Sequence, residues 1–90
     1  MPKRLTDKKF QIEFAIRLRQ ARLSAGYKRI PEFARALGVE QNSYRRYELT
    51  DPKETRIFPL GLLPRVVELT GHGSWYLLTG QPDRKEPSKM

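Results

Sequence analysis

Cysteine is absent from this chain, and histidine and tryptophan occur once each. Without cysteine there is no disulfide framework, no redox pair and no thiolate zinc site. The single histidine, His72, has no second imidazole or thiolate with which to share a metal, so neither a metal nor a cofactor is expected. Ser24, Ser43, Ser74 and Ser88 have no positioned base, since His72 stands between two glycines, and no phosphate-binding loop is present. The residues therefore point away from an enzyme. Long apolar runs are also missing. The start, MPKRLTDKKF, is charged, which predicts neither a signal peptide nor a membrane anchor and is compatible with the cytoplasm. Strand signals are lacking as well, and the expectation is an all-α domain of five helices.

What the chain does have is positive charge. Eighteen Lys and Arg against ten Asp and Glu leave a formal charge of +8, a balance that favours polyanionic partners. The charge is not confined to one tail: Lys3, Arg4, Lys8 and Lys9 come early, Arg45 and Arg46 in the middle, and Lys53 and Arg56 after them. Ninety residues, 38% of them hydrophobic, suffice for one small domain with a core and little stability to spare.

The organising stretch is Phe33 to Glu48, FARALGVEQNSYRRYE. Phe33, Ala34 and Leu37 make the inner stripe of a short helix, and Gly38 supplies the left-handed residue that ends it. Val39 is the apolar plug of the turn. From about Gln41 a second helix starts, with Tyr44 and Tyr47 facing inward. At roughly 100° per residue, Gln41, Asn42, Arg45 and Arg46 fall on the opposite arc. Gln, Asn and Arg are the side chains whose paired donors and acceptors match base edges in the DNA major groove. An Arg-Arg pair alone is usually a solvated face, but Gln41 and Asn42 share this arc and follow a turn of the right length.

Around this unit, residues 1–5 are expected to be a basic arm, residues 6–80 the domain, and residues 81–90, with two prolines, a disordered tail. Thr6 and Asp7 suit the start of a helix running to Ala25, with a core stripe of Phe10, Phe14, Leu18, Ala21 and Ala25. A second apolar line, Ile12, Ile16 and Leu23, lies on nearly the opposite side, which a surface helix of a monomer has no reason to carry. Pro31 is placed at the first position of the next helix. After Glu48 the run LTDPKETRIFP reads as a long loop. Leu62 to Leu69, with Pro64 in its opening turn and Gly71 behind it, and Ser74 to Thr79, closed by Gly80, are the last two helices.

The run from about Phe14 to Gly80, some three quarters of the chain, resembles the lambda-repressor-like, Cro-type (XRE) helix-turn-helix family. The residues that carry the resemblance are Arg17-Leu18-Arg19 with Arg22, Leu37-Gly38-Val39, Tyr47-Glu48, and Tyr76-Leu77-Leu78-Thr79-Gly80. It implies a compact five-helix lambda-repressor-like domain whose second and third helices form the helix-turn-helix. Gln41, Asn42, Arg45 and Arg46 would then stand at the bases of double-stranded DNA. Lys28, Arg29, Ser43, Lys53, Arg56 and the arm residues Lys3 and Arg4 are expected near phosphates. For Lys53 and Arg56 a solvated loop is an equal reading, and for Lys3 and Arg4 a solubilising tail is the plainer one. The resemblance also makes Arg22 and Glu48 a structural ion pair between the first and third helices. Three departures stand out: Ile30 takes the place of the family's usual phosphate-holding Gln, the connection Tyr27 to Ile30 is one residue longer, and the loop after Glu48 is longer by several. Trp75 falls where the family usually has a polar residue.

Three function classes follow. The leading one is a sequence-specific transcriptional regulator, a dimeric repressor on an inverted repeat, located with the nucleoid. Its dimer surface is either the line Ile12, Ile16, Leu23 or the last helix with Trp75. The second is a protein-interaction module, such as an antitoxin, with a protein partner over Ile12, Ile16 and Trp75. The third, an enzyme, has no constellation of residues behind it.

Overall fold

No glycine or proline interrupts the seventeen residues of α1, Lys8–Ser24, so its backbone ladder runs unbroken. The structure, a computed structural model, describes residues 8–82; Lys3, Arg4, the capping pair Thr6 and Asp7, and the tail beyond Pro82 lie outside the described residues. After α1 come α2 (Ile30–Leu37), α3 (Gln41–Tyr47), a 3-10 turn at Leu60–Leu62, α4 (Leu63–Thr70) and α5 (Ser74–Thr79). Among the described residues all regular structure is helical, as the sequence led us to expect.

Each helix contributes a side chain with no exposed surface to one core: Leu18, Phe33, Tyr44, Val66 and Leu77 are all at 0%. On α1 the expected stripe is buried at Phe14, Leu18 and Ala21, with Phe10 partly covered. Ala25 falls one residue past the helix and is only half-buried, a correction to the stripe. Gln11, Ala15 and Arg22 are buried on α1 as well. α2 starts at Ile30, so Pro31 takes its second position rather than the first. The missing N–H is still harmless there, because the first four amides of a helix have no internal partner.

Aromatic rings join these elements. Tyr27 meets Phe33 at 5.0 Å, Phe33 meets Tyr44 at 5.4 Å, Tyr44 meets Tyr47 at 6.1 Å and Tyr47 meets Phe58 at 5.2 Å, all edge to face. Phe58 in turn leans on Phe14 at 5.2 Å. This ladder ties the loop after α3 to the core, and the edge-to-face geometry adds to what burial alone supplies. The loop is further shaped by a turn at Asp51, whose carbonyl accepts from the amides of Glu54 and Thr55, and by the Arg56 amide, which donates to the carbonyl of Arg46 at 3.2 Å.

Two arginines close helix ends. Arg17 donates through Nε to the carbonyl of Leu77 at 2.8 Å and through Nη2 to that of Leu78 at 3.0 Å, fastening α1 to the last turn of α5. Arg65 donates to the carbonyl of Ala36 at 3.3 and 3.2 Å, tying α4 to the end of α2. In both cases a cation meets the carbonyls that a helix leaves unpaired at its C-terminus. Gly80 sits at φ 81°, and a Cβ there would lie 3.0 Å from the Arg17 guanidinium.

Candidate nucleic-acid interface

α2 ends because Gly38 adopts φ 86°, a left-handed conformation that an L side chain rarely takes. The Gly38 and Val39 amides then fold back to the carbonyl of Ala34, each at 2.9 Å, and the half-buried Val39 packs against the core. With the turn set in this way, Glu40 stands immediately before α3. Its carboxylate accepts from the Ser43 amide at 2.9 Å and the Ser43 hydroxyl at 3.2 Å, capping the helix. Hydrogen bonds from the backbone of Asn42 and Ser43 hold this fully exposed carboxyl below the usual range. Glu40 carries no sequence signal for this role, because Glu is not among the residues preferred at an N-cap and the Glu–Ser order is the reverse of a capping box. Since the Ser43 hydroxyl donates to Glu40, a phosphate contact by that hydroxyl would require it to leave the cap.

The two faces of α3 differ sharply. Tyr44 is fully buried and Tyr47 half-buried, while Gln41, Asn42, Arg45 and Arg46 are all exposed. The helix thus offers a run of amide and guanidinium groups to solvent while a buried ring holds its axis. Lys28 and Arg29, on the connection leading into α2, and Lys53 and Arg56, on the loop leaving α3, are exposed as well. Arg56 is attached to the last turn of α3 by its own backbone amide, so loop and helix are one unit. Lys53 is held by a hydrogen bond from its amide to the Asp51 carboxylate at 2.9 Å.

Beneath this surface lies a network of charge. Arg22 Nε is 2.7 Å from Glu48 Oε2 and Nη2 is 3.1 Å from Oε1, a forked pair whose side chains are 5% and 6% exposed. The third guanidinium nitrogen, Nη1, donates to the carbonyl of Tyr27 at 2.8 Å, and the Tyr44 hydroxyl donates to Glu48 Oε2. The Glu48 carboxylate therefore joins α1 to α3, and the Arg22 guanidinium ties both to the α1–α2 connection. The hydrogen bond to Glu48 raises the Arg22 pKa above its ordinary value, outweighing the opposite effect of burial. Burial first, and the Glu48 charge second, push the Tyr44 phenol far above its ordinary range.

A testable consequence follows for alkaline solution. Tyr44 ionises at its ordinary pKa of about 10 only in the unfolded chain, so its folded pKa is the higher one. Its contribution to stability is complete below pH 10 and declines as pH rises above it. The melting temperature of the wild type should fall above about pH 10, and Tyr44→Phe should flatten that fall. Parallel declines in the two proteins would show that Tyr44 does not carry the effect.

The remaining predicted surfaces lie elsewhere. Ile16 and Leu23 on α1 are 43% and 42% exposed, Trp75 on α5 is 45% exposed, and Ile12 is half-buried. A contact that sequence reasoning missed joins Ser24 Oγ to His72 Nε2 at 3.0 Å, with the His72 ring against Tyr76. The Ser24 hydroxyl also donates to the carbonyl of Ala21, so its hydrogen is engaged within α1 and the pair serves to tie the end of α1 to the α4–α5 connection. Among the described residues no group of three His, Cys, Asp or Glu is placed to hold a metal, and no helix is long and apolar enough to cross a membrane. None of the known protein families, curated proteins or solved structures compared with the chain matches it.

Proposed function

We propose that α2 and α3 work as a helix-turn-helix and that the protein is a sequence-specific regulator which binds double-stranded DNA through the major groove. The observation that carries this reading is the division of α3: Gln41, Asn42, Arg45 and Arg46 exposed on one side, Tyr44 and the Glu48 carboxylate buried on the other. Side chains of these three types pair with the edges of adenine and guanine. The formal charge of +8 supplies attraction to the phosphate backbone. One small domain reads few base pairs, so two copies on an inverted repeat are proposed, with half-site centres about one helical turn, roughly 34 Å, apart. Occupying a promoter, and hence repression at the nucleoid, is the simplest action open to such a domain. The protein would need neither metal nor cofactor for it, and no catalysis is proposed.

The phosphate-facing role falls to Arg56 and Lys53 on the loop, with Lys28 and Arg29 on the other flank. Neutralising Arg56 should weaken binding almost equally on all sequences and lower the salt slope of affinity by about 1. Affinity measured against salt for Arg56→Ala on preferred and unrelated DNA tests this; a change of base preference would move Arg56 to the reading group.

A second reading is favoured by the exposed Ile16, Leu23 and Trp75, which would suit a protein partner in an antitoxin-like module. Gel-shift on the protein's own upstream DNA with heparin as competitor separates the two. Persistent specific complexes support the regulator, and complexes lost at low competitor support the interaction module.

A further inference from the structure

The exposed side chains from Glu40 to Arg46 are amides, a hydroxyl and guanidinium groups, with one exception. Glu40, at the leading end of α3, puts a negative charge on the face proposed to meet DNA. There it repels phosphates and lowers affinity for every DNA sequence alike. Capping does not call for that charge: Ser, Thr, Asp and Asn are the preferred N-caps, and the uncharged ones would receive the Ser43 amide as well. Nor does the buried network need it, because Arg22 is already matched by Glu48 and the Tyr27 carbonyl.

The geometry holds this carboxylate in place and leaves it room for one more donor. Glu40 has extended backbone, φ −65° and ψ 140°, and its Oε1 accepts from the Ser43 amide at 2.9 Å and the Ser43 hydroxyl at 3.2 Å. With the Asn42 amide beside it, three donors face a group that has about four lone-pair sites. Ionised, it can only accept. α3 has seven residues and its first amides are turned to Glu40, so what this end of the helix presents to a partner is an acceptor.

We infer that Glu40 is a specificity residue which accepts a hydrogen bond from the N4 amino group of a cytosine in each half-site, next to the base pair met by Gln41. This rests on the proposed function, in which the first residues of α3 reach base edges. In the major groove only cytosine N4 and adenine N6 donate. Adenine sets its N7 acceptor beside that donor on the same base, and N7 repels a carboxylate; cytosine has no acceptor there. Guanine and thymine turn acceptors and a methyl group to the groove, so against either of them the Glu40 charge loses water and gains no donor. Glu40 thus selects largely by rejecting the other bases.

Selection of bound fragments from random double-stranded DNA by wild type, Glu40→Gln and Glu40→Ser tests this. Wild type should enrich cytosine at one position of each half-site and disfavour other bases there on the order of tenfold per half-site. Glu40→Gln keeps the length and carries an amide, which pairs with adenine N6 and N7, so that position should change from cytosine to adenine. Glu40→Ser keeps a preferred N-cap and should lose preference at that position alone. The same base enriched there by all three proteins would confine Glu40 to capping and overturn the inference. A second measurement needs no variant. With N4-methylcytosine in the preferred site, its methyl group in place of the exposed N4 hydrogen, wild-type affinity should fall about tenfold per half-site, and undiminished affinity overturns the inference. Arg45→Ala separates this failure from that of the reading beneath it. A repeat that Arg45→Ala relaxes and Glu40→Gln leaves unchanged removes the role of Glu40 alone, whereas wild-type fragments with no shared sequence remove both.

Discussion

Glu48→Ala should leave a domain that is largely unfolded or close to it at room temperature. The substitution removes the carboxylate that receives two nitrogens of Arg22 at 2.7 and 3.1 Å and the Tyr44 hydroxyl. Arg22 is 4% exposed and cannot turn to solvent without unpacking α1 from α3. Its guanidinium stays charged, because an arginine is too strong a base to be deprotonated by burial near neutral pH, and deprotonation offers no escape. A buried charge stripped of its partner costs roughly 3–5 kcal/mol, while a small domain has about 5–15 kcal/mol in all and a chain of this length stands near the lower end. Urea unfolding followed by circular dichroism reads the loss directly. The double substitution Arg22→Met with Glu48→Leu should recover most of it, since replacing both partners by apolar groups strands neither. A midpoint for Glu48→Ala within a few tenths molar of wild type would show that the pair holds nothing together.

Arg45→Ala should change which DNA is preferred, more than how tightly DNA in general is held. The side chain is exposed on the face of α3 opposite Tyr44, so its removal leaves the core, the Glu40 cap and the buried ion pair untouched. A guanidinium in the major groove can give two parallel hydrogen bonds to O6 and N7 of a guanine. Losing that contact costs about 1 to 3 kcal/mol per half-site and relaxes preference at one base pair in each. Binding to a preferred site and to single-base-pair variants of it, at one salt concentration, separates the two effects. Arg46, farther round the helix, is expected to give a mixed response, part base preference and part salt slope. A uniform loss across all variants on Arg45→Ala would place Arg45 at a phosphate.

The helical order of the chain was legible because it rests on local chemistry. Gly38, Gly71 and Gly80 end helices by adopting positive φ, and the spacing of Phe33, Ala34, Leu37 and Tyr44 names the inner faces of α2 and α3. The exposed arc of Gln41, Asn42, Arg45 and Arg46 follows from the same 3.6-residue period. What stayed hidden depends on partners distant in sequence. Arg17 meets the end of α5 sixty residues on and Arg65 meets the end of α2, and a bond from a side chain to a carbonyl leaves no mark on the residue that supplies the carbonyl. The run after α3 is the loop that its sequence predicts, but its docking was not legible: Thr55 is 1% and Phe58 8% exposed, because a single aromatic and a turn at Asp51 suffice to dock a segment with no period of its own. A groove lined by Phe10, Phe14, Phe58 and Leu78 was invisible for the same reason: its walls come from stretches far apart in sequence. The Arg22–Glu48 contact, which no periodicity implies, entered only through the family resemblance.

The most direct test of the central claim is selection of bound fragments from random double-stranded DNA by the wild-type chain and by Arg45→Ala in parallel. The proposed reading surface requires that wild type enrich an inverted repeat with half-site centres roughly 34 Å apart, and that Arg45→Ala enrich the same repeat with one base pair in each half-site relaxed. Fragments with no shared sequence, or an identical repeat from both proteins, would contradict the assignment of base reading to Gln41, Asn42 and Arg45.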